Sequence, residues 1–351
     1  MNMRAPFLIV ALLLGVCYAA RCQDLPEPVL AVQRCFPQAT VRLLPEVRYH
    51  GEVAPVTLTP SPTNSSYGTE TISPDGRRLF VVRALEPYGY QSYFLDLTTG
   101  QLSLAKMPDQ QLIELGGIMP LPYIQMGVWD PVEPAYLYAM RLDHATDEGD
   151  KLQSVWRIHV ETLLGTPILP TSHDALYDIT PDGRYLLVYP YGDGIDQPYL
   201  YSLETHTRTP LPEKDMPYVR RTYAPNGELL AGFTYISPNT VLTIMDLQTD
   251  RLAQVFNQNQ ALFSLPHGTC PALVSRVNPT WLFNSTGLFV NIESIDADSN
   301  TIWQVGINGE ARAIASGVSV IANSQNGRHW LLQHGQRFYV MTVDDTSLVG
   351  E

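Results

Sequence analysis

The chain has 351 residues, 45% of them hydrophobic and only 16% charged, and its 35 acidic against 22 basic residues leave a formal net charge of −13 at pH 7. That length and apolar content support a sizeable core, while 28 prolines and 24 glycines are too many turn formers for a chain built of surface helices. A surface this negative repels phosphate backbones and anionic lipid headgroups, so nucleic acid is excluded as an expected partner.

Met1-Asn2-Met3-Arg4 and the apolar run from Ala5 to Ala20 have the charged start, hydrophobic middle and small-residue end of a secretory signal, with cleavage expected after Ala19 or Ala20. The run is shorter than the roughly 20 residues a membrane-spanning helix needs. The expected location is therefore extracytoplasmic, whether secreted, periplasmic or at the cell surface, with membrane attachment only through an uncleaved or lipidated N-terminus. Cleavage leaves Cys22, Cys35 and Cys270 in an oxidising compartment, where two of them can pair. A Cys35–Cys270 bridge would pin the N-terminal arm to a linker late in the chain, and a Cys22–Cys35 bridge would staple the arm to itself.

Residues 21–60 form a proline-rich, partly extended arm, in which Val41-Arg42-Leu43-Leu44-Pro45 and Val53-Ala54-Pro55-Val56-Thr57-Leu58 can each make a short edge strand. From residue 61 a turn repeats. Its clearest copy is Thr180-Pro181-Asp182-Gly183, in which proline presets φ, aspartate tolerates the bridge region and glycine takes positive φ without a Cβ clash. The others are Ser73-Pro74-Asp75-Gly76, Asp130-Pro131-Val132-Glu133, Ala224-Pro225-Asn226-Gly227, Asn284-Ser285-Thr286-Gly287 and Ser324-Gln325-Asn326-Gly327. Each is followed by an apolar strand, a polar loop and a second strand, as in Tyr93-Phe94-Leu95-Asp96-Leu97 or Leu242-Thr243-Ile244-Met245-Asp246-Leu247.

The turns recur every 40 to 60 residues or so. Units of about that length, each too thin to bury its own faces, are propeller blades. The reading is all-β: a six-bladed β-propeller over residues 61–351, with seven blades if the arm forms more than one strand. The blades are placed at about 66–106, 120–170, 173–212, 217–256, 276–315 and 316–351. The last nearly runs out of chain, so a strand between Leu44 and Thr59 is expected to pair near Arg337–Val343 and close the ring.

The Ser-Pro-Asp-Gly turn at Ser73–Gly76, its hydrophobic strand and the following strand that ends Asp96-Leu97-Thr98-Thr99-Gly100 resemble the WD-repeat-like blades of the TolB propeller, a blade type shared with prolyl-oligopeptidase-type propellers. The resemblance covers about residues 60–350 and implies the fold. TolB carries an α/β domain ahead of its propeller, for which the segment before Ser61 is too short.

The loops between second and third strands gather acids and tyrosines on one face of the disc: Tyr88 and Tyr90, Asp147 and Glu148, Asp193 and Asp196, Asp296 and Asp298. Acids steer positive charge and tyrosines give rigid contact area, so this rim is the expected binding face for a cationic or peptide-like partner. The long connectors Lys106–Tyr123 and Asn257–Arg276 are further places where function can sit. Asp296-Ala297-Asp298-Ser299-Asn300 has alternating oxygens but lacks the glycine and distal glutamate of a calcium loop, so no metal is assigned there. The eight histidines have no zinc spacing, and there is no nucleophile elbow, phosphate loop or dinucleotide fingerprint. No catalytic residue and no cofactor are expected. The function read from the sequence is a non-catalytic module that binds or scaffolds protein, peptide or cell-envelope material. The alternative is a propeller enzyme such as a metal-dependent lactonase-type hydrolase, whose ligands would converge at the channel.

Overall fold

The computed structural model describes residues 25–49, 52–53, 70–85, 89–105, 123–145, 151–190, 197–211, 219–236, 239–257, 274–294 and 300–343. Six sheets, each built on four antiparallel strands, follow one another along the chain. Blade one consists of β4 (Thr71–Ile72), β5 (Arg78–Leu85), β6 (Gly89–Asp96) and β7 (Gln101–Leu104). Blade two holds β8 (Tyr123–Trp129), β9 (Tyr136–Ala145), β10 (Lys151–His159) and β11 (Gly165–Ser172). Blade three holds β12 (Asp174–Ile179), β13 (Tyr185–Pro190), β14 (Tyr199–Ser202) and β15 (Arg208–Pro210). Blade four holds β16 (Val219–Tyr223), β17 (Leu229–Ile236), β18 (Asn239–Asp246) and β19 (Arg251–Asn257). Blade five holds β20 (Val274–Trp281), β21 (Gly287–Ser294), β22 (Thr301–Gly306) and β23 (Ala311–Ser316). Blade six has β24 (Ser319–Asn323), β25 (His329–His334) and β26 (Arg337–Thr342), and takes its outermost strand, β1 (Thr40–Leu43), from the arm.

The first strands touch from blade one through blade five, β24 meets β21 and β22 of blade five, and a parallel bridge between Ile72 and Ser324 brings blade six back to blade one, so the ring closes at six. The core is a set of apolar clusters wedged between neighbouring sheets. Each inner strand from blade two to blade six carries a bulge, at Ile124/Met126, Leu176/Asp178, Val219/Thr222, Val274/Arg276 and Val320/Ala322. Such bulges bend an edge strand and sharpen its twist where it meets the channel.

The repeated turn is held by the same bonds in several blades. The hydroxyls of Ser73, Thr180 and Ser324 accept the N–H of the residue five further on and donate to Asp75, Asp182 and Asn326 at 2.6 Å. Gly76, Gly183, Gly227 and Gly327 close these turns at φ between 64° and 74°. After the third strand, the Asp96 and Asp246 carboxylates each accept two backbone N–H bonds, from Thr98 and Thr99 and from Gln248 and Thr249.

Three details differ from the sequence reading. Closure is made by Thr40–Leu43 against Thr342–Tyr339, upstream of the Leu44–Thr59 window, and ends where Leu44 N–H donates to Phe338 O at 2.8 Å, because Pro45 has no N–H to continue the ladder. The arm also folds. Helix α1 (Glu27–Gln33) buries Val29 and Val32 between blades five and six, and Phe36 just beyond it stacks on Trp330 with ring centroids 5.4 Å apart. Further along, β2 (Arg48–Tyr49) pairs in parallel with β7, and β3 (Glu52–Val53) pairs with β2, so blade one has six strands. Third, the blade-five turn is Leu282–Ser285 rather than Asn284–Gly287. Ser285 N–H donates to Leu282 O, Ser285 holds the left-handed position at φ 58°, and Gly287 already belongs to β21.

Candidate binding groove between blades three and four

In several blades the residue just before the turn acts as a wedge against the preceding blade. In blades two and five it is a fully buried tryptophan, whose indole N–H donates to a carbonyl of that neighbour's first strand: Trp129 to Thr71 at 2.8 Å and Trp281 to Thr222 at 2.9 Å. In blade four the same place holds Tyr223, and the neighbour's matching residue is Asp178. Here the contact is made by Tyr223 backbone N–H to Asp178 Oδ2 at 3.3 Å. A phenol replaces an indole, and among the described residues the cluster between these blades has only four buried members, Leu187, Tyr223, Leu230 and Met245. The other five inter-blade clusters have nine or more.

The under-filled seam is an open groove of about 660 Å³. Its floor is apolar, with Leu200, Met245 and Tyr223, and its rims are the turns Thr180–Gly183 and Ala224–Gly227. Asp182 and Asp250 bring two carboxylates to the lining, and among the described residues no Lys, Arg or His lines it. The turns stay apart because neither carries bulk toward the other: a methyl built on Gly227 would meet only Pro181, at 3.8 Å.

At the channel end of the seam, Asp178 accepts its neighbour Ile179 N–H at 2.9 Å as well as Tyr223 N–H. Gln325, in the blade-six turn on the opposite side of the ring, donates through Nε2 to Ile179 O and, at 3.5 Å, to Asp178 Oδ1. Asp178 is half-buried as a residue, but its carboxyl group is enclosed, and that burial pushes it up to about 7 against the two amide bonds that favour its charge. Several polar groups elsewhere are paired within the fold. Arg157 bridges Asp130 at 2.8 Å and Glu133 at 3.1 Å over the Tyr136 ring, and burial, reinforced by Asp130, raises Tyr138 to about 12. Tyr199 donates to Asp174, which also pairs with Arg208 at 3.2 Å.

The residues expected to form the acidic rim are not tested by this geometry. Tyr88, Asp147, Glu148, Asp193, Asp196, Asp296 and Asp298 lie outside the described residues, as do the two long connectors. Tyr90 is placed in β6 opposite Ala84. Among the described residues Cys35 has no disulfide partner and is a half-buried thiol pushed up by burial, while Cys22 and Cys270, its expected partners, lie outside the described residues. Among the described residues, no three His, Cys, Asp or Glu side chains gather as a metal site. The groove opens on the face of the turns, opposite to the face of the loops between second and third strands. Its sequence signal is faint: a tyrosine standing where two other blades have tryptophan.

The fold is a six-bladed β-propeller, and at the level of fold the chain resembles the TolB propeller. No protein-family model matches it, and no curated protein matches it. Among solved structures it is similar to TolB from Acinetobacter baumannii, at 13% identity over 78% of this chain and 53% of that one, with a TM-score of 0.47. It thus spans about half the length of that TolB. It is also similar to oligogalacturonate lyase from Vibrio parahaemolyticus, at 12% identity over 88% and 97% with a TM-score of 0.44. An auxiliary nutrient binding protein from Bacteroides thetaiotaomicron gives 10% over 79% and 69%, also at 0.44. At these identities the likenesses concern the ring alone. No described helix is long and apolar enough to cross a membrane.

Proposed function

We propose that the protein is an extracytoplasmic, non-catalytic propeller that holds a short peptide segment of a protein partner in the groove between blades three and four. The observation that carries this reading is the seam itself: an apolar floor of Leu200, Met245 and Tyr223, open between two turns and bordered by Asp182 and Asp250, with no basic side chain among the described lining residues. Such a slot accepts an aliphatic or aromatic side chain, and its charge favours a neighbouring Lys or Arg on the same segment. Rigid turns on a closed ring keep the ordering cost of binding low. The N-terminal signal-like segment supports export, and the acids that the sequence concentrates in the segments between second and third strands are expected to add a second region of the same sign.

Fluorescent peptides carrying one Leu or Phe beside Lys or Arg, with Glu-substituted controls, test the reading. Basic peptides should bind in preference to acidic ones, with affinity falling as salt rises. Met245→Trp, which fills the floor, should weaken binding at least tenfold, and Asp182→Asn with Asp250→Asn should weaken it several-fold. Binding that survives Met245→Trp but is lost on neutralising Asp147, Glu148, Asp193 and Asp196 would move the site to the opposite face.

A further inference from the structure

We propose that Asp250 is the residue that selects a cationic ligand in the groove, and that Asp182, the other carboxylate of the lining, serves the turn and takes no part in that choice. This rests on the groove reading and adds where along the groove the Lys or Arg of the bound segment lies. The two carboxylates differ in what they already do inside the fold.

Asp182 is fully employed. Its Oδ1 accepts the Thr180 hydroxyl at 2.6 Å and the Arg184 N–H at 3.1 Å, and its Oδ2 lies 3.8 Å from Arg184 Nε. Blade one repeats these contacts around Asp75, with the Ser73 hydroxyl at 2.6 Å, the Arg77 N–H at 3.1 Å and Arg77 Nε at 4.0 Å, although that turn borders no part of the groove. The arrangement therefore belongs to the turn, and the charge that Asp182 brings to the groove is already shared with Arg184.

Asp250 is placed differently. The turn joining third and fourth strands sets one residue in the left-handed region in each of blades one to five. That residue is glycine in blades one and five, Gly100 at φ 75° and Gly309 at φ 85°, whereas blades two, three and four put Leu163, His206 and Asp250 there at φ 58°, 57° and 54°. A side chain in this conformation costs energy that glycine avoids. Leu163 and His206 have a use within the protein: Leu163 packs into the cluster between blades one and two, and His206 Nδ1 meets the Tyr201 hydroxyl at 3.0 Å. Asp250 has none. Among the described residues its exposed carboxylate makes no hydrogen bond and no ion pair, and it borders the groove instead. Arg251, next in the chain, stands opposite Asp246 in the ladder and does not line the groove. The partner that Asp250 lacks inside the fold is the cation of the bound segment, to which it can accept a charge-assisted hydrogen bond.

Its place also sets a direction. The rim turns join first and second strands, while Asp250 lies between β18 and β19, the third and fourth strands of blade four, farther from the channel. A ligand whose apolar side chain fills the floor at Met245 thus points its cation outward, toward the edge of the disc.

A double-mutant cycle on the full chain tests the assignment. A fluorescent peptide with one Leu or Phe beside Lys is compared with the same peptide carrying norleucine, which keeps the length of Lys without its charge. At low salt, wild type should bind the Lys peptide about three- to fivefold more tightly. Asp250→Asn, which tolerates the left-handed turn, should bring that ratio to about one. Asp182→Asn should leave it within about twofold, and its turn should hold, since Asn326 accepts the matching hydroxyl and N–H bonds in blade six. Asp250→Gly should also lose the ratio but raise the thermal midpoint above that of wild type, which a residue kept for the fold alone would not do. Equal affinities for the two peptides in wild type, or a ratio that survives Asp250→Asn while Met245→Trp still weakens binding, would overturn the role of Asp250 and leave the groove in place. Absence of binding, or binding that ignores Met245→Trp, would remove both.

Discussion

A glycine in the repeated turn does two separable jobs, and two blades separate them. Gly227 and Gly327 have nearly the same left-handed backbone, at φ 74° and 64°. A Cβ on Gly227 would find only the edge of Pro181, 3.8 Å away, whereas on Gly327 it would lie 2.7 Å from Phe283 N and 2.8 Å from Trp281 O, which are backbone atoms of the neighbouring blade. Gly227→Ala should therefore cost only the left-handed strain, about 1 kcal/mol. Gly327→Ala must also push neighbouring blades away from each other and should cost about 3 kcal/mol or more. Urea titration of the two variants measures the gap; equal losses would mean that strain alone decides. The same residues explain why the blade-five turn is misplaced by its sequence. Gly287 looks like the slot's glycine, but Ser285 fills the slot, and its hydroxyl accepts Asn226 N–H from blade four at 3.2 Å. A bond to another blade is invisible in the turn's own four letters.

At the scale of elements, the strand content is legible because every blade repeats a turn with its own internal bonds, and the expected blade limits fall close to the observed sheets. The arm is less legible because its structure is imposed by what it covers. A seven-residue helix is too short to stand by itself in water. It forms because Val29 and Val32, spaced one turn apart, and then Phe36 find an apolar seam lined by Phe289, Trp330 and Tyr339. That spacing is present in the sequence, but a proline-rich segment that reads as extended conceals it. Phe36 is 6% exposed and meets three aromatic rings, so Phe36→Ala should destabilise the protein by about 3 kcal/mol. Arm docking should loosen in step, seen as faster amide exchange at Val41 and Leu43. Destabilisation without faster exchange in β1 would show that helix and closing strand dock independently.

For the whole molecule, what the sequence conceals and what it displays have one cause. The ring is dictated by a repeat, which sequence displays directly, while the groove is a shortfall of volume between side chains from β14, β16 and β18 that meet only once the ring has closed. Closure joins residues from the two ends of the described chain: Thr40 faces Thr342 in the ladder, 302 residues away. A link at that point shuts a loop of almost the whole propeller. In the chain-entropy picture a disulfide across so long a loop is worth up to about 5 kcal/mol, and engineered examples usually deliver about 2 to 4 kcal/mol. Thr40→Cys with Thr342→Cys should thus raise the denaturation midpoint of the oxidised protein above that of the same protein reduced, once peptide mapping has confirmed the new bridge. Pairing between residues so far apart in sequence is expected late in folding, so the gain should also slow unfolding more than it speeds folding. If the bridge forms and the unfolding rate does not change, separation of β1 from β26 is not the step that opens the ring, and the seams between blades are.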